Sequence, residues 1–279
     1  MAIHLNIQSI SAQALASGVQ RRSLLSSATV PDIKFRLDWV GIDAGASFDL
    51  PVGSGDLAWI QVLGGEINLT QAGNEQRLSD SHVVFLPPGF SGALKSEAGA
   101  TLLLALVPGA AGLDPDFATR PPGFRVVDWR NEPLLESKHD ARKRVYLVTP
   151  ALFGTTAIKG EMIIYPPLTE APRHYHTGAA HFMYFLKGSG TAFAGDKSFA
   201  VREGDVVYYG DSEVHALRGG ELQDMVFSEF FVPAGAKTVW VEPEKACTWL
   251  PTGKNIDGGK PARDLQAHSF SKIETTTGV

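Results

Sequence analysis

Apolar residues in this chain fall in short runs rich in β-branched and aromatic side chains, as in Ala58-Trp-Ile-Gln-Val-Leu-Gly-Gly65 and His181-Phe-Met-Tyr-Phe-Leu-Lys-Gly188. Turn-forming residues interrupt them about every eight to twelve positions, and long helical periodicity is nearly missing. The pattern predicts an all-β chain built as sandwiches or barrels.

The same design occurs twice. The two runs above lie 123 residues apart, and Ser81-His-Val-Val-Phe-Leu-Pro-Pro-Gly89 precedes Gly204-Asp-Val-Val-Tyr-Tyr-Gly-Asp-Ser212 by the same interval. A third echo, Leu106-Val-Pro108 against Phe231-Val-Pro233, drifts by two residues and would close each unit with a strand. Two segments in one register argue for a duplicated domain. Gly109, Gly112, Pro115, Pro121 and Pro122 break both helix and sheet ladders between the units. The expected division is an N-terminal barrel at 1–112, a linker at 113–140, a C-terminal barrel at 141–245 and an irregular tail at 246–279. Trp249 and Phe270 are possible anchors for that tail. Residues 1–30, with Arg21-Arg22 before Ser23-Leu24-Leu25, lack the apolar stretch of a signal and read as a structured arm.

Composition narrows the partners. Hydrophobic residues at 44% and charged residues at 20% fit a globular core, and no window approaches a bilayer-spanning apolar run. A net charge of -5 without a basic run removes nucleic acid as the main partner. The single cysteine, Cys247, excludes an intrachain disulfide and fits a reducing, cytoplasmic setting.

The chemistry concentrates in the second repeat. His174 and His176 are two apart, so on a strand both imidazoles project from one face. His181 opens the following strand after the Thr177-Gly178 turn, and His215 follows the Gly210-Asp211 turn. Stepping back 123 positions from these four gives Pro51, Gly53, Ala58 and Gly92, none of which can ligate through a side chain. His4, His82, His139 and His268 read as ordinary polar positions.

This arrangement resembles the cupin superfamily, whose motifs read G(x)5HxH(x)3-4E(x)6G and G(x)5PxG(x)2H(x)3N. The first runs here through His174, His176 and His181 to Gly188, and the second from Gly204 to His215. The resemblance covers about 40–110 and 155–235 and implies a bicupin, two jelly-roll β-barrels in one chain, with a metal held by His174, His176, His181 and His215 in the second. It departs from the family in two places: His181 stands where most cupins place glutamate, and Gly210-Asp211-Ser212 replaces Pro-x-Gly. Four neutral imidazoles leave a divalent ion its full charge, favouring an anionic or enolisable substrate.

Ala171-Pro-Arg-His-Tyr-His-Thr-Gly looks like the metal strand of gentisate-type ring-cleaving dioxygenases. An empty first barrel with a metal-bearing second one resembles ureidoglycine aminohydrolases, and cupin-type polyketide cyclases offer a four-histidine precedent. These resemblances imply an Fe(II) dioxygenase acting on a small enolisable or aromatic carboxylate. The alternatives are a non-redox Mn or Zn hydrolase, lyase or isomerase, and a metabolite-binding cupin without catalysis. Homodimers are common in the family and are expected here.

Three further residues are candidates for the chemistry. Alternation along Met225 to Phe231 puts Glu229 on one face with Phe227 and Phe231. Facing inward it would be a buried general base, facing outward a solvated carboxylate. Tyr165 could line the pocket. Arg173, beside the first ligand, could clamp a carboxylate, or it could be a solvated rim residue.

Overall fold

A computed structural model describes residues 2–266 and the strand His268–Ser269. The chain divides into two compact units: Ile7–Asp128 with Phe153–Thr155, and a second holding the N-terminal strand Ile3–Asn6, Trp129–Leu152 and the chain from Thr156 onward. No helix among the described residues is long and apolar enough to cross a membrane.

The N-terminal unit is two antiparallel sheets. The larger runs in the order Arg125–Asp128, His82–Leu86, Leu57–Gly65, Ala100–Val107, Arg36–Ile42, Val19–Leu25, Gln13–Ala16. The smaller runs Ser47–Pro51, Ser91–Lys95, Ile67–Gln71, Asn74–Leu78. Alternate side chains from both sheets, among them Ile60, Val62, Leu69, Phe90, Leu94 and Leu102, fill one continuous apolar core. That filling explains why this barrel carries no ligands. Ala58, at the slot of His181, is buried within it, and Gly92, at the slot of His215, has the Phe90 ring where a Cβ would go, 2.7 Å away.

The second unit repeats the plan. Its larger sheet runs Ile3–Asn6, Asp205–Tyr209, Ala180–Lys187, Met225–Val232, Lys159–Tyr165, Lys143–Val148, Leu134–Ser137, Thr248–Pro251, His268–Ser269. Its smaller sheet runs Lys197–Arg202, Ser189–Ala194, His215–Gly219, His174–Thr177, Lys237–Trp240. The four central strands of the larger sheet have the order of their counterparts in the first unit, at the spacing the sequence repeat predicts. Gly65 and Gly188, equivalent in the repeat, both take left-handed φ values of 74° and 76° at the strand end, each pressed against a backbone carbonyl.

The domain limits differ from the sequence reading at both ends of the second unit. Arg125–Asp128 pairs with His82–Leu86, and Leu134–Ser137 pairs with Lys143–Val148. About half of the stretch 124–140 therefore belongs to one sheet or the other. After Gly123 the proline and glycine signals thin to Pro133, between the two strands, and the chain can join a ladder on either side of it. The segment read as an irregular tail contributes Thr248–Pro251, paired with Leu134–Ser137, and Trp249 is buried there at 1% exposure. Phe270 lies outside the described residues. At the opposite edge, Ile3–Asn6 pairs in register with Asp205–Tyr209, and both His4 and Asn6 reach the buried carboxylate of Asp205.

Candidate metal centre

Period-two alternation sets the inward face of the larger C-terminal sheet, and strand register aligns those residues into rows. One row reads Tyr209, His181, Phe231, Lys159 across four strands, the next Val207, Met183, Glu229, Glu161, Tyr146. A third reads Phe185, Phe227, Ile163, Arg144. His174–Thr177 and His215–Gly219 face these rows from the smaller sheet, with His174 and His215 as register partners.

All four predicted histidines meet there. The His174 and His215 rings lie 4.4 Å apart by centroid, His181 and His215 4.7 Å, His176 and His181 4.8 Å. The ligating atoms of His176, His181, His215 and Glu229 all lie within 4.8 Å of one another, and all four residues are buried. His174, half-buried, flanks that compact group. Glu229 thus faces inward, its Oε1 3.4 Å from His181 Nε2.

Hydrogen bonds fix how the rings present themselves. His174 Nδ1 lies 2.7 Å from the Pro172 carbonyl and His215 Nδ1 2.8 Å from that of Glu213. A carbonyl only accepts, so both rings donate from Nδ1 and keep the Nε2 lone pair for a ligand. His176 Nδ1 sits 3.0 Å from Thr238 Oγ1. Among the described residues, His181 makes no hydrogen bond through either nitrogen; stacking on Phe231 and Tyr209, at 4.9 and 5.2 Å, holds its plane. The Nε2 of His215 is likewise buried without a hydrogen-bond partner. Orphaned buried nitrogens on converging neutral imidazoles fit a divalent cation, which would satisfy them together.

Electrostatics agree with neutral rings. Burial, reinforced by the neighbouring imidazoles, pushes His174, His176 and His181 well below the ordinary range, and burial brings His215 down to about 4. Glu229 is pushed up, first by burial and then by the Glu161 carboxylate directly opposite it.

Sequence reading missed the cations. Arg142, Arg144 and Lys159 are all buried in this barrel. Arg144 lies 3.3 Å from Glu161 Oε1 and stacks over Trp249 at 4.3 Å, and Lys159 approaches Glu161 Oε2 at 3.7 Å. The signal was present as charged residues that share one face of apolar strands, Arg144-x-Tyr146 and Lys159-x-Glu161, with Arg142 just ahead of the first. A narrow cavity of about 20 Å³ joins the two chemistries, with His174, His176, Glu229, Arg142, Arg144 and Tyr165 among its walls. Arg173 is not among its walls, which corrects the expectation of a clamp there. Its odd position beside His174 turns it outward, where the exposed guanidinium donates to the Gly195 carbonyl at 2.8 Å.

Residues 161–242 match the Cupin domain family model. No curated protein matches the sequence. Among solved structures, a variant of oxalate decarboxylase from Bacillus subtilis superposes with a TM-score of 0.67 at 16% identity, over 85% of this chain and 79% of the other. A second structure of that enzyme, described for its Mn(II) centres, gives 0.66 at 15% identity, with 85% and 79% covered. The protein Ylba from E. coli gives 0.66 at 14% identity, over 83% of this chain and 90% of that one. At such identities the likeness establishes the fold. Together with the Cupin domain matched at 161–242 and the repeated barrel, it gives the chain a bicupin fold.

Proposed function

We propose that the C-terminal barrel is a divalent-metal enzyme centre acting on a small carboxylate anion. One observation carries this: four neutral imidazoles converge, His181 and His215 with a buried and unpaired Nε2, and the cluster adjoins a cavity that His174 and His176 line together with two guanidinium groups. His176, His181 and His215 would hold the ion, with His174 completing the set. When bound, the ion supplies Lewis acidity or, as Fe(II), access to oxygen chemistry.

The chain's own groups do the rest. Arg142 and Arg144 offset the charge of an anion that would otherwise enter a dry apolar barrel at high cost. Tyr165, Trp240 and Trp249 exclude water around it. Glu229 lies close enough to the imidazole cluster to take a proton from a ligand seated there and to return it.

The metal-strand resemblance supports an Fe(II) dioxygenase as the reaction class. A non-redox reading, with Mn or Zn, draws on the Glu229–Glu161 pair, two buried carboxylates opposed across adjacent strands at the edge of the cluster. The B. subtilis fold relative, named for decarboxylating oxalate and described with Mn(II) centres, is in keeping with it.

The test is chelator-stripped protein reloaded anaerobically with Fe(II), Mn(II) or Zn(II) and offered a panel of small carboxylic acids, with substrate loss and oxygen uptake recorded together. Turnover with Fe(II) that consumes oxygen supports the dioxygenase. Turnover unchanged without oxygen transfers the function to the non-redox class. Failure to bind any of the three ions refutes both.

A further inference from the structure

The two cavity arginines are not equivalent. Arg144 is engaged by the Glu161 carboxylate and by the Trp249 face. Among the described residues Arg142 meets one carboxylate, Asp140, which takes Nε–H and one Nη2–H at 2.9 and 2.7 Å. Its other edge is served by neutral, weakly accepting groups: the Cys247 sulfur at 2.7 Å from Nη2 and the Tyr165 hydroxyl at 3.3 Å from Nη1. Five N–H donors against four hydrogen bonds leave one Nη1–H without an acceptor among the described residues. Tyr165, whose oxygen accepts from Arg142, has its own proton still to place, and it too makes no other hydrogen bond among the described residues.

We propose that the Nη1 edge of Arg142 and the hydroxyl of Tyr165 form the seat that binds the substrate's carboxylate, opposite the imidazole cluster. The inference rests on the anionic-substrate reading above and adds which residues recognise the anion. A carboxylate there would accept from both orphaned donors and displace the long Arg142–Tyr165 contact. It would gain charge-assisted hydrogen bonds where a thiol and a phenol now give weak ones. Asp140, joined to Arg142 through two nitrogens, holds the guanidinium plane in advance, so little side-chain entropy is lost on binding. Burial raises the Tyr165 phenol to about 12, which keeps it a proton donor at neutral pH. The ligand class is a short acid bearing a second oxygen donor that faces the imidazoles, since His174 and His176 share the cavity with Arg142 and Tyr165. Tyr165 is then a substrate-binding residue.

The experiment measures acetate, glycolate and oxalate binding by calorimetry to the full-length protein, stripped and zinc-loaded, with acetamide as the neutral control. Arg142→Lys and Tyr165→Phe conserve size and, for lysine, charge. The expected result is saturable binding of the acids and none of acetamide, weakened roughly tenfold or more in Arg142→Lys and several-fold in Tyr165→Phe. Zinc affinity should stay close to wild type, and thermal melting confirms that both variants remain folded. Equal binding of acetamide, acid binding in Arg142→Lys within twofold of wild type, or no acid binding to wild type would each overturn the seat. Absence of zinc binding with acid binding and its Arg142 dependence intact would refute the metal centre and leave the seat standing.

Discussion

The hydroxyl of Thr238 governs the second imidazole of the cluster, so replacing it by valine is a sharp test of the metal assignment. Thr238 and His176 are register partners on adjacent strands, and their Oγ1 and Nδ1 atoms are 3.0 Å apart. Valine keeps the shape and removes the acceptor, leaving His176 free to rotate and to place its proton on either nitrogen. Comparable losses around metal-bound histidines weaken the metal by about 10- to 100-fold, or about 1.4–2.7 kcal/mol. Thr238 is half-buried, so the same substitution should cost the apo-protein only about 0.5–1.5 kcal/mol through its hydrogen bond. Zinc affinity from competition with a chromophoric chelator, set beside calorimetric melting of the stripped protein, separates the two effects. Thr238→Ser should retain tight binding. Valine and wild type with zinc affinities within twofold of each other would contradict the claim that His176 is a ligand oriented by this contact.

Three other outcomes follow from the geometry. Glu229→Gln should lower turnover by about 10²- to 10⁴-fold with metal affinity nearly intact, whereas loss of the metal itself would make Glu229 a ligand. Gly160→Ala should destabilise the second barrel by about 1–3 kcal/mol, because the new methyl would meet the Phe230 ring edge and lie 3.1 Å from Val148 Cγ1. An unchanged melting temperature would show that Phe230 can move aside. Burial raises Tyr146 and Tyr165 to about 12, above the ordinary 10. Their contribution is intact below about pH 10 and fades as pH climbs toward 12, by on the order of a few kcal/mol each. Melting temperatures that hold level across that interval in wild type, or fall as steeply in Tyr146→Phe, would refute it.

Much of this could be read before any coordinates existed. The 123-residue repeat found the duplicated barrel because strand length and turn chemistry are local. The histidine spacing found the cluster because alternation on a strand fixes which side chains share a face. Glu229 was placed on a face but not on a side, since a strand buried on both faces gives alternation no polar side to mark the outside. Arg173 illustrates the complementary error: adjacency in sequence to His174 places it on the opposite face. The cations Arg142, Arg144 and Lys159 escaped notice because their meaning depends on pairing between strands distant in sequence. Charged side chains at such positions look like surface residues until register brings Glu161, Tyr146 and Trp249 around them.

The opening strand Ile3–Asn6 is a borrowed selvedge for the barrel made last: it waits through translation of about two hundred residues before Asp205–Tyr209 emerges to receive it. A fragment cut at Trp129 to isolate the histidine-bearing barrel would leave Asp205–Tyr209 without that neighbour and Asp205 stripped of two hydrogen-bonding partners. Such a bare edge invites intermolecular strand pairing. Supplying residues 1–8 as a separate peptide, or refastening them at the fragment's other end, should restore its solubility.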